Sequence, residues 1–211
     1  MPNSCFSIAE TLKAFAISID EVATNNLVND SRVVQADDVF AAIKGTSQDA
    51  SQFIETAIEN GAVVVICQCE NQSQHGQQAR VEVHNKSAIV VQFYQLDKEL
   101  MNVSAQYYNK PSEKLTLIGV TGTNGKTSCC QILAQLLTKL DNETAIIGTL
   151  GAGTLAHLEN INNTTPGPTK LQQLLAQFSA ADIANVAMEI SSHALHQNRV
   201  NSNDIDIAVF T

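Results

Sequence analysis

A glycine-rich loop between an apolar strand and an amphipathic helix constrains this chain more than any other feature. Residues 119–128 read Gly-Val-Thr-Gly-Thr-Asn-Gly-Lys-Thr-Ser, after a predicted strand at 115–120 and before a predicted helix at 127–140. Glycines let backbone N–H groups close around phosphate oxygens without clashes from Cβ atoms. In such loops a lysine, here Lys126, reaches the β and γ phosphates, and the next hydroxyl, Thr127, binds Mg²⁺. The segment therefore predicts a phosphate-binding loop in a parallel α/β sheet.

The spacing of this loop departs from the general pattern G-x-x-x-x-G-K-[ST]. Val120 stands five residues before Gly125, with Gly119 and Gly122 on either side of it. A chance Gly-Lys-Thr in a flexible loop is the alternative interpretation. The strand before the loop and the helix after it favour the phosphate-binding interpretation, because they supply the context that such a loop needs.

Short apolar runs alternate with helical stretches on both sides of Asn-Lys-Pro-Ser at 109–112. This alternation predicts an α/β fold, with a small N-terminal domain at 1–110 and a partial P-loop parallel-sheet domain at 111–211. In the first domain we predict strands at 39–43 and 62–66, a helix at 51–60 and one long helix from Ser87 to Tyr107. In the second we predict strands at 115–120, 144–150, 185–190 and 205–210, helices at 127–140 and 169–178, and a functional loop at 151–168.

Composition and charge narrow the class of protein. Apolar residues make up 44% of the chain and charged residues 16%, which is typical of an ordered globular protein. A net charge of −9 disfavours nucleic acid and anionic membranes as partners, although local cations and helix N-termini can still hold a phosphorylated small molecule. An odd count of five cysteines and the lack of a signal-peptide pattern favour a reducing compartment. We expect a cytoplasmic monomer.

Three further motifs accompany the glycine-rich loop. Asp-Ser-Arg at 30–32 is followed by Asp-Val-Phe-Ala-Ala-Ile at 38–43 and Gly45; Asn-Thr-Thr-Pro stands at 163–166; and Met-Glu-Ile-Ser-Ser-His-Ala-Leu at 188–195 precedes Gln197 and Arg199. With Thr-Gly-Thr-Asn-Gly-Lys-Thr at 121–127, these motifs resemble those of the Mur ligases, and of the MurE type in particular. The resemblance runs from about residue 27 to the end.

The resemblance implies roles for individual residues. Lys126 and Glu189 would be catalytic, and Thr127 and Glu189 would hold Mg²⁺. ATP would be bound by the glycine-rich loop, at Gly122, Thr123, Asn124, Gly125, Lys126, Thr127 and Ser128. A UDP-linked muramoyl peptide would be bound by Asn29, Ser31, Thr46, Ser47, Gln48, Asn163, Thr164, Thr165, Ser191, Gln197 and Arg199. His193 and His196 are expected to be packing or surface residues.

The activity that the resemblance implies is ATP-dependent ligation. The carboxylate of UDP-N-acetylmuramoyl-L-alanyl-D-glutamate would become an acyl phosphate, which an amino acid, meso-diaminopimelate or L-lysine, would attack. Three other interpretations stay open: a non-catalytic UDP-sugar or nucleotide-binding module, a folylpolyglutamate-type ligase that shares the ATP loop, and a generic P-loop kinase or GTPase. The last would require an aspartate at a strand end in place of Glu189.

The end of the sequence carries one more expectation. Thr211 directly follows an apolar strand, when only about half of a normal parallel sheet has been built. We therefore expect this chain to be part of a longer ligase and not to catalyse the ligation by itself.

Overall fold

The computed structural model describes residues 6–44 and 49–211, which form two compact units that divide after Tyr107. Both units alternate strands and helices, so the predicted α/β fold class is confirmed. Among the described residues, no helix is both long enough and apolar enough to cross a membrane.

The first unit is built on a five-stranded sheet in the order β1-β2-β3-β5-β4. Strands β1, β2, β3 and β5 run parallel, and β4 pairs antiparallel with β5. The elements of this unit are α1 (Ile8–Lys13), β1 (Leu27–Val28), β2 (Val39–Ala42), α2 (Ile54–Asn60), β3 (Val64–Cys69), β4 (Gln78–Val83), β5 (Lys86–Tyr94) and α3 (Leu96–Tyr107).

Side chains on one face of this sheet pack with α2 to form a continuous apolar core. Phe40 and Val65 on the sheet and Ile58 on the helix are completely buried in this cluster. Gly61 ends α2 with φ +120°, a left-handed conformation that glycine adopts at little cost. Because strand residues alternate between faces, Ala41 and Val64 point to the opposite face of the sheet.

The predicted long helix from Ser87 to Tyr107 is wrong in its first half. Residues 86–94 form β5, and the chain turns at Gln95, with φ +58°, before α3 begins at Leu96. Ile89 and Phe93 stand four residues apart, as on a helix face, but the segment is rich in β-branched and aromatic residues. Pairing with β3 on one side and β4 on the other decides in favour of the strand.

The second unit contains a six-stranded sheet in the order β11-β6-β10-β7-β8-β9. The first four strands in this order are parallel. Strand β8 pairs antiparallel with β7, and β9 pairs antiparallel with β8. Its elements are β6 (Thr116–Thr121), α4 (Lys126–Lys139), β7 (Thr144–Gly148), β8 (Gly151–Thr154), β9 (His157–Glu159), α5 (Pro168–Ala180), β10 (Asn185–Glu189), α6 (Ser192–His196) and β11 (Ile207–Phe210).

The expected loop at 151–168 is only partly a loop. Residues 151–154 and 157–159 form β8 and β9, and the irregular segment begins after Glu159. Gly151 and Gly153 have φ of +130° and +140°, and glycine-rich segments give no strand pattern. The remaining predicted strands and helices of this unit are confirmed, with boundaries shifted by a few residues.

The apolar core of this unit determines the position of the glycine-rich loop. Helix α4 packs on the sheet through Cys130 and Ala134, which lie against Val120, Ile146 and Ala187. The loop that joins β6 to α4 therefore lies at the carboxyl edge of the parallel strands. In open α/β sheets this edge is where ligands bind.

Candidate functional site

The glycine-rich loop has the backbone geometry of an anion-binding turn. Gly122 and Gly125 have φ of +140° and +83°, and Gly125 immediately precedes the first residue of α4. Thr123 and Asn124 are exposed on the loop. The Lys126 side chain folds back, and its Nζ donates to the Gly122 carbonyl oxygen at 2.8 Å. A cation over the loop and free N–H groups at a helix start both favour a bound phosphate.

Glu189 lies at the centre of the carboxyl edge. It ends β10, which lies between β6 and β7, and only 2% of the residue is exposed. Its Oε2 accepts from Thr127 Oγ1 at 3.0 Å and from Thr149 Oγ1 at 3.3 Å, and its Oε1 accepts from the Thr149 N–H at 2.9 Å. A buried carboxylate needs such donors, because burial without them is costly.

Gly148 provides the space for this carboxylate. A Cβ atom at Gly148 would lie 2.2 Å from Glu189 Oε1 and 2.8 Å from its carboxyl carbon. Any side chain at position 148 would therefore displace the Glu189 carboxylate from its donors.

The segment 163–166, which we call the expected substrate loop, is held against the same strand end. Thr165 is buried, and its Oγ1 donates to the Glu189 carbonyl oxygen at 2.8 Å and accepts from the Ser191 N–H at 3.1 Å. Thr164 Oγ1 lies 3.0 Å from Thr149 Oγ1. The Thr165 hydroxyl is thus engaged within the chain, whereas the half-buried Thr164 faces the hydroxyl that contacts Glu189. Asn163 lies exposed in the preceding bend.

The residues after β10 continue this network. Ser191 caps α6, since its Oγ accepts from the Ala194 N–H at 3.1 Å. The Arg199 guanidinium donates through Nη1 to the Thr165 carbonyl oxygen at 3.2 Å and through Nε to Gln197 Oε1 at 2.8 Å. The fold therefore gathers the expected residues at 127, 164, 165, 189, 191, 197 and 199 around one edge of the sheet.

The donor set fits Mg²⁺ better than a transition metal. Among the described residues, no group of three or more His, Cys, Asp or Glu could hold a metal ion, and His193 and His196 are exposed. Mg²⁺ commonly uses one or two carboxylates and completes its shell with water and substrate phosphates. The Glu189 carboxylate beside the Thr127 hydroxyl, next to the glycine-rich loop, could serve as such a ligand if a phosphate were bound there.

The charge of Glu189 also affects a neighbouring thiol. Burial, with smaller contributions from the nearby Glu189 carboxylate and from Cys129, raises the pKa of Cys130 to about 12. Cys130 therefore stays a neutral core residue and offers no thiolate nucleophile.

In the first unit, the described candidates follow the short strand β1. Ser31 begins a 3₁₀ turn, Ser31–Val33, that Asp30 caps by accepting from the Arg32 N–H at 3.0 Å. The Ser31 carbonyl oxygen accepts from Asn60 Nδ2 at 2.9 Å, and Asn29 precedes the turn. The Arg32 guanidinium holds the pKa of the Asp30 carboxyl below its usual range. This turn lies at the carboxyl edge of the first parallel sheet.

The other three candidates of the first unit, Thr46, Ser47 and Gln48, lie outside the described residues. The residues that flank them are described: Lys44 and Asp49 form an isolated antiparallel bridge, and Lys44 also pairs with Glu70. Lys44 lies just beyond the end of β2 and Ser31 just beyond the end of β1, and these two strands are parallel neighbours.

Two residues of the second site were missed by sequence reasoning, Gly148 and Thr149. Gly148 is the last residue of β7 and Thr149 follows it, and both determine where the Glu189 carboxylate lies. A usable pattern existed, because Gly-Thr at the end of an apolar strand occupies the same sheet edge as the glycine-rich loop. This pattern could not identify the two residues without the knowledge that β7 and β10 are neighbours in the sheet.

Comparisons with known proteins agree across both units. Residues 24–108 match the domain described as "Mur ligase family, catalytic domain", and residues 120–211 match the "Mur ligase middle domain". The UDP-N-acetylmuramoyl-L-alanyl-D-glutamate--2,6-diaminopimelate ligase of Haemophilus influenzae (strain 86-028NP) is 39% identical over 192 residues, which are 91% of this chain and 38% of that protein. The ligase of the same name from Ectopseudomonas mendocina (strain ymp) is 42% identical over 190 residues, 90% of this chain and 37% of that protein.

Solved structures of ligases also resemble this chain. A structure of a ligase with that name superposes with a TM-score of 0.71 at 28% identity and covers 98% of this chain and 40% of its own. The UDP-N-acetylmuramoylalanyl-D-glutamyl-2,6-diaminopimelate--D-alanyl-D-alanyl ligase of Acinetobacter baumannii has a TM-score of 0.58 at 19% identity over 91% of this chain and 37% of its own, and shows the fold alone. The chain spans about two fifths of the length of the relatives it matches.

Proposed function

Because this chain belongs to the Mur ligase family, we propose that it carries the UDP-substrate-binding and ATP-binding parts of an amide-bond ligase of peptidoglycan precursor synthesis. The observation that carries the proposal is the hydrogen-bonded network from Thr127 through Glu189 and Thr149 to Thr164. It joins a phosphate-binding loop to the expected substrate loop at one sheet edge. Transfer of a phosphoryl group from ATP to a bound carboxylate requires that proximity.

The proposed reaction has two steps. An oxygen of the substrate carboxylate attacks the γ phosphorus of ATP, the bond to the β–γ bridging oxygen breaks, and ADP leaves. The amino group of the incoming amino acid then attacks the acyl carbon. Phosphate leaves with the bonding electrons, the amine loses a proton, and an amide remains. A carboxylate needs this activation because its own oxygen is a poor leaving group.

The residues of the second unit would support the first step by positioning and charge. Lys126 would leave the Gly122 carbonyl and contact the β and γ phosphates. Glu189 and Thr127 would hold Mg²⁺, which neutralises charge on the phosphates during transfer. Thr164, Gln197 and Arg199 would contact the muramoyl peptide. Thr165 and Ser191 would keep the substrate loop in place through the hydrogen bonds that they already form.

The UDP moiety would be bound by the first unit. Ser31 and Asn29 follow β1 at the carboxyl edge of its sheet, and we assign Thr46, Ser47 and Gln48 to the same ligand from the motif. The third amino acid is proposed to be meso-diaminopimelate, because the relatives at 36–42% identity are named as 2,6-diaminopimelate ligases. L-Lysine is the other candidate that the sequence left open.

A cytoplasmic monomer remains part of the proposal. All four cysteines in the described part of the chain are free thiols, as a reducing compartment would keep them. The substrates proposed here, ATP and a UDP-linked peptide, are small molecules and require no macromolecular partner.

The assignment of the glycine-rich loop can be tested by Lys126→Ala. Loss of a charge-assisted contact to phosphate is expected to weaken ATP binding by about 10- to 100-fold, from roughly 1.5–3 kcal/mol per such bond. Isothermal titration of this chain with ATP and Mg²⁺ measures the change. Lys139→Ala, at the other end of the same helix, is the matched control and should bind as the unchanged chain does.

The catalytic assignment needs a second measurement in the longer enzyme that contains this chain. Phosphate release and product mass are followed with UDP-N-acetylmuramoyl-L-alanyl-D-glutamate and either amino acid. Lys126→Ala is expected to lower the rate by two orders of magnitude or more, by analogy with a lost oxyanion donor. A Lys126→Ala enzyme that keeps both its ATP affinity and its rate within a factor of two or three would refute the proposed role.

A further inference from the structure

Thr149 makes two different hydrogen bonds to one carboxylate. Its N–H donates to Glu189 Oε1 at 2.9 Å, and its Oγ1 donates to Glu189 Oε2 at 3.3 Å. The first bond uses the backbone and is independent of the side chain. The second bond depends on the hydroxyl, in a residue that is otherwise exposed.

The same hydroxyl contacts the substrate loop. Thr149 Oγ1 lies 3.0 Å from Thr164 Oγ1. A hydroxyl has one hydrogen and two acceptor sites. If Thr149 gives its hydrogen to Glu189, it must accept the hydrogen of Thr164. The donor order is then Thr164 to Thr149 to Glu189, which fixes the orientation of both hydroxyls.

The Thr127 hydroxyl is the other side-chain donor to Glu189 in the described structure. Thr127 is also the hydroxyl expected to bind Mg²⁺ through an oxygen lone pair, so its position depends on the metal. Thr149 donates to the same Glu189 oxygen without being assigned to Mg²⁺, and it can keep the carboxylate in place whether or not the metal is bound. Because Thr149 also contacts Thr164, the carboxylate and the substrate loop would be held in position together.

We propose that Thr149 is a positioning residue that couples the Mg²⁺-binding carboxylate of Glu189 to Thr164 of the substrate loop. This inference rests on the proposed function, since it assumes that Glu189 contributes to an Mg²⁺–ATP site. It assigns Thr149 no direct contact with the reacting atoms. Its effect is therefore expected in the Mg²⁺ dependence of ATP binding and not in ATP binding without metal.

The test compares Thr149→Val, which removes the hydroxyl at nearly constant shape, with Thr149→Ser, which keeps it. ATP affinity is measured over a series of free Mg²⁺ concentrations and in EDTA. For Thr149→Val we expect the Mg²⁺ concentration at half-maximal effect to rise about fivefold to tenfold, the usual worth of one hydrogen bond. ATP affinity in EDTA should stay unchanged, and Thr149→Ser should restore the normal Mg²⁺ response.

Two further variants isolate the cause. Thr154→Val, a threonine on the neighbouring strand β8, is the matched control and should leave the Mg²⁺ response unchanged. Thr164→Val should shift the Mg²⁺ response in the same direction as Thr149→Val, and the double variant should do no worse than Thr149→Val alone. Such non-additivity is expected only if the two hydroxyls act through each other.

Glu189→Gln separates failure of this inference from failure of the proposed function. If Glu189→Gln abolishes the Mg²⁺ response while Thr149→Val leaves it unchanged, Thr149 has no positioning role and the proposed function stands. If Glu189→Gln also has no effect, the Mg²⁺ assignment fails and the inference fails with it. A purely structural role of Thr149 would give a different result. Thr149→Val would then lower the thermal midpoint, and Thr149→Ser would not show the normal Mg²⁺ response.

Discussion

Glu189 illustrates how single residues determine the properties of this site. The carboxylate is buried, yet it accepts hydrogen bonds from Thr127 and from both donors of Thr149. It therefore stays in one position at the centre of the sheet edge, with no salt bridge to any residue that the structure describes. A single carboxylate held in this way can bind a hard cation when substrate phosphates complete the coordination shell.

Gly148→Ala tests the position of this carboxylate without changing any hydrogen-bonding group. The new methyl would lie 2.2 Å from Glu189 Oε1, so the Glu189 side chain must move away from Thr127 and Thr149. We expect the Mg²⁺-dependent part of ATP affinity to fall by at least about tenfold, since more than one hydrogen bond is disturbed. Titration of ATP with and without Mg²⁺ measures this.

Gly167→Ala is the control for that substitution, because a Cβ there meets no atom within 4 Å. It should leave ATP binding and thermal stability nearly unchanged. If Gly148→Ala behaves in the same way, the Glu189 carboxylate is not confined as described.

At the scale of elements, the β8–β9 hairpin connects β7 to the proposed substrate loop. It pairs antiparallel with β7 and returns the chain to the carboxyl edge, from which the segment with Thr164 and Thr165 begins. The Gly151 and Gly153 backbones take positive φ, and a Cβ at either glycine would approach a carbonyl oxygen of β9. The hairpin therefore depends on glycine at two points, and the substrate loop depends on the hairpin.

Gly151→Ala is expected to loosen this hairpin. The added Cβ would lie 2.5 Å from the Glu159 carbonyl oxygen, and φ +130° is strained for alanine. A cost of about 1–3 kcal/mol is typical for such a backbone position. Hydrogen exchange should speed up for amides of 151–159, while β6 and β10 keep their protection. Thr154→Ala, a change of similar size on the same strand, should leave the exchange of the hairpin amides largely unchanged.

At the scale of the whole molecule, the two compact units each contain a buried core and a separate candidate site. Ser31 belongs to the first unit, and the glycine-rich loop, Thr149 and Glu189 belong to the second. Each site is built by the carboxyl ends of its own parallel strands. We therefore propose that the units bind different ligands, UDP in the first and ATP in the second.

Two reciprocal variants test whether the two units bind different ligands. Ser31→Ala should weaken UDP binding about fivefold or more by removing one hydrogen-bonding group, and leave ATP affinity unchanged. Lys126→Ala should weaken ATP binding and leave UDP affinity unchanged. Backbone amide shifts on adding UDP should fall around Ser31 and the end of β1. Shifts concentrated at 122–128 instead would show that UDP binds the glycine-rich loop and would contradict the assignment.

Features that depend on local chemistry could be predicted from the sequence alone. The α/β class, the strand–loop–helix around Lys126 and the helix α5 follow from apolar runs, glycines and helical periodicity within short segments. Glu189 and the Thr164–Thr165 pair were predicted to be site residues from motifs that are also local, and this stays a prediction. None of these predictions needed to know which strands are neighbours.

Features that depend on strand pairing could not be predicted without the tertiary structure. Residues 86–94 fit a helix by spacing, yet they form β5 because β3 and β4 offer hydrogen-bonding partners on both sides. The glycine-rich β8 has no strand pattern and exists through its pairing with β7. Thr149 and Glu189 are 40 residues apart and meet because β7 and β10 are adjacent. Periodicity reports only local preference, whereas these contacts depend on the order of strands in the sheet.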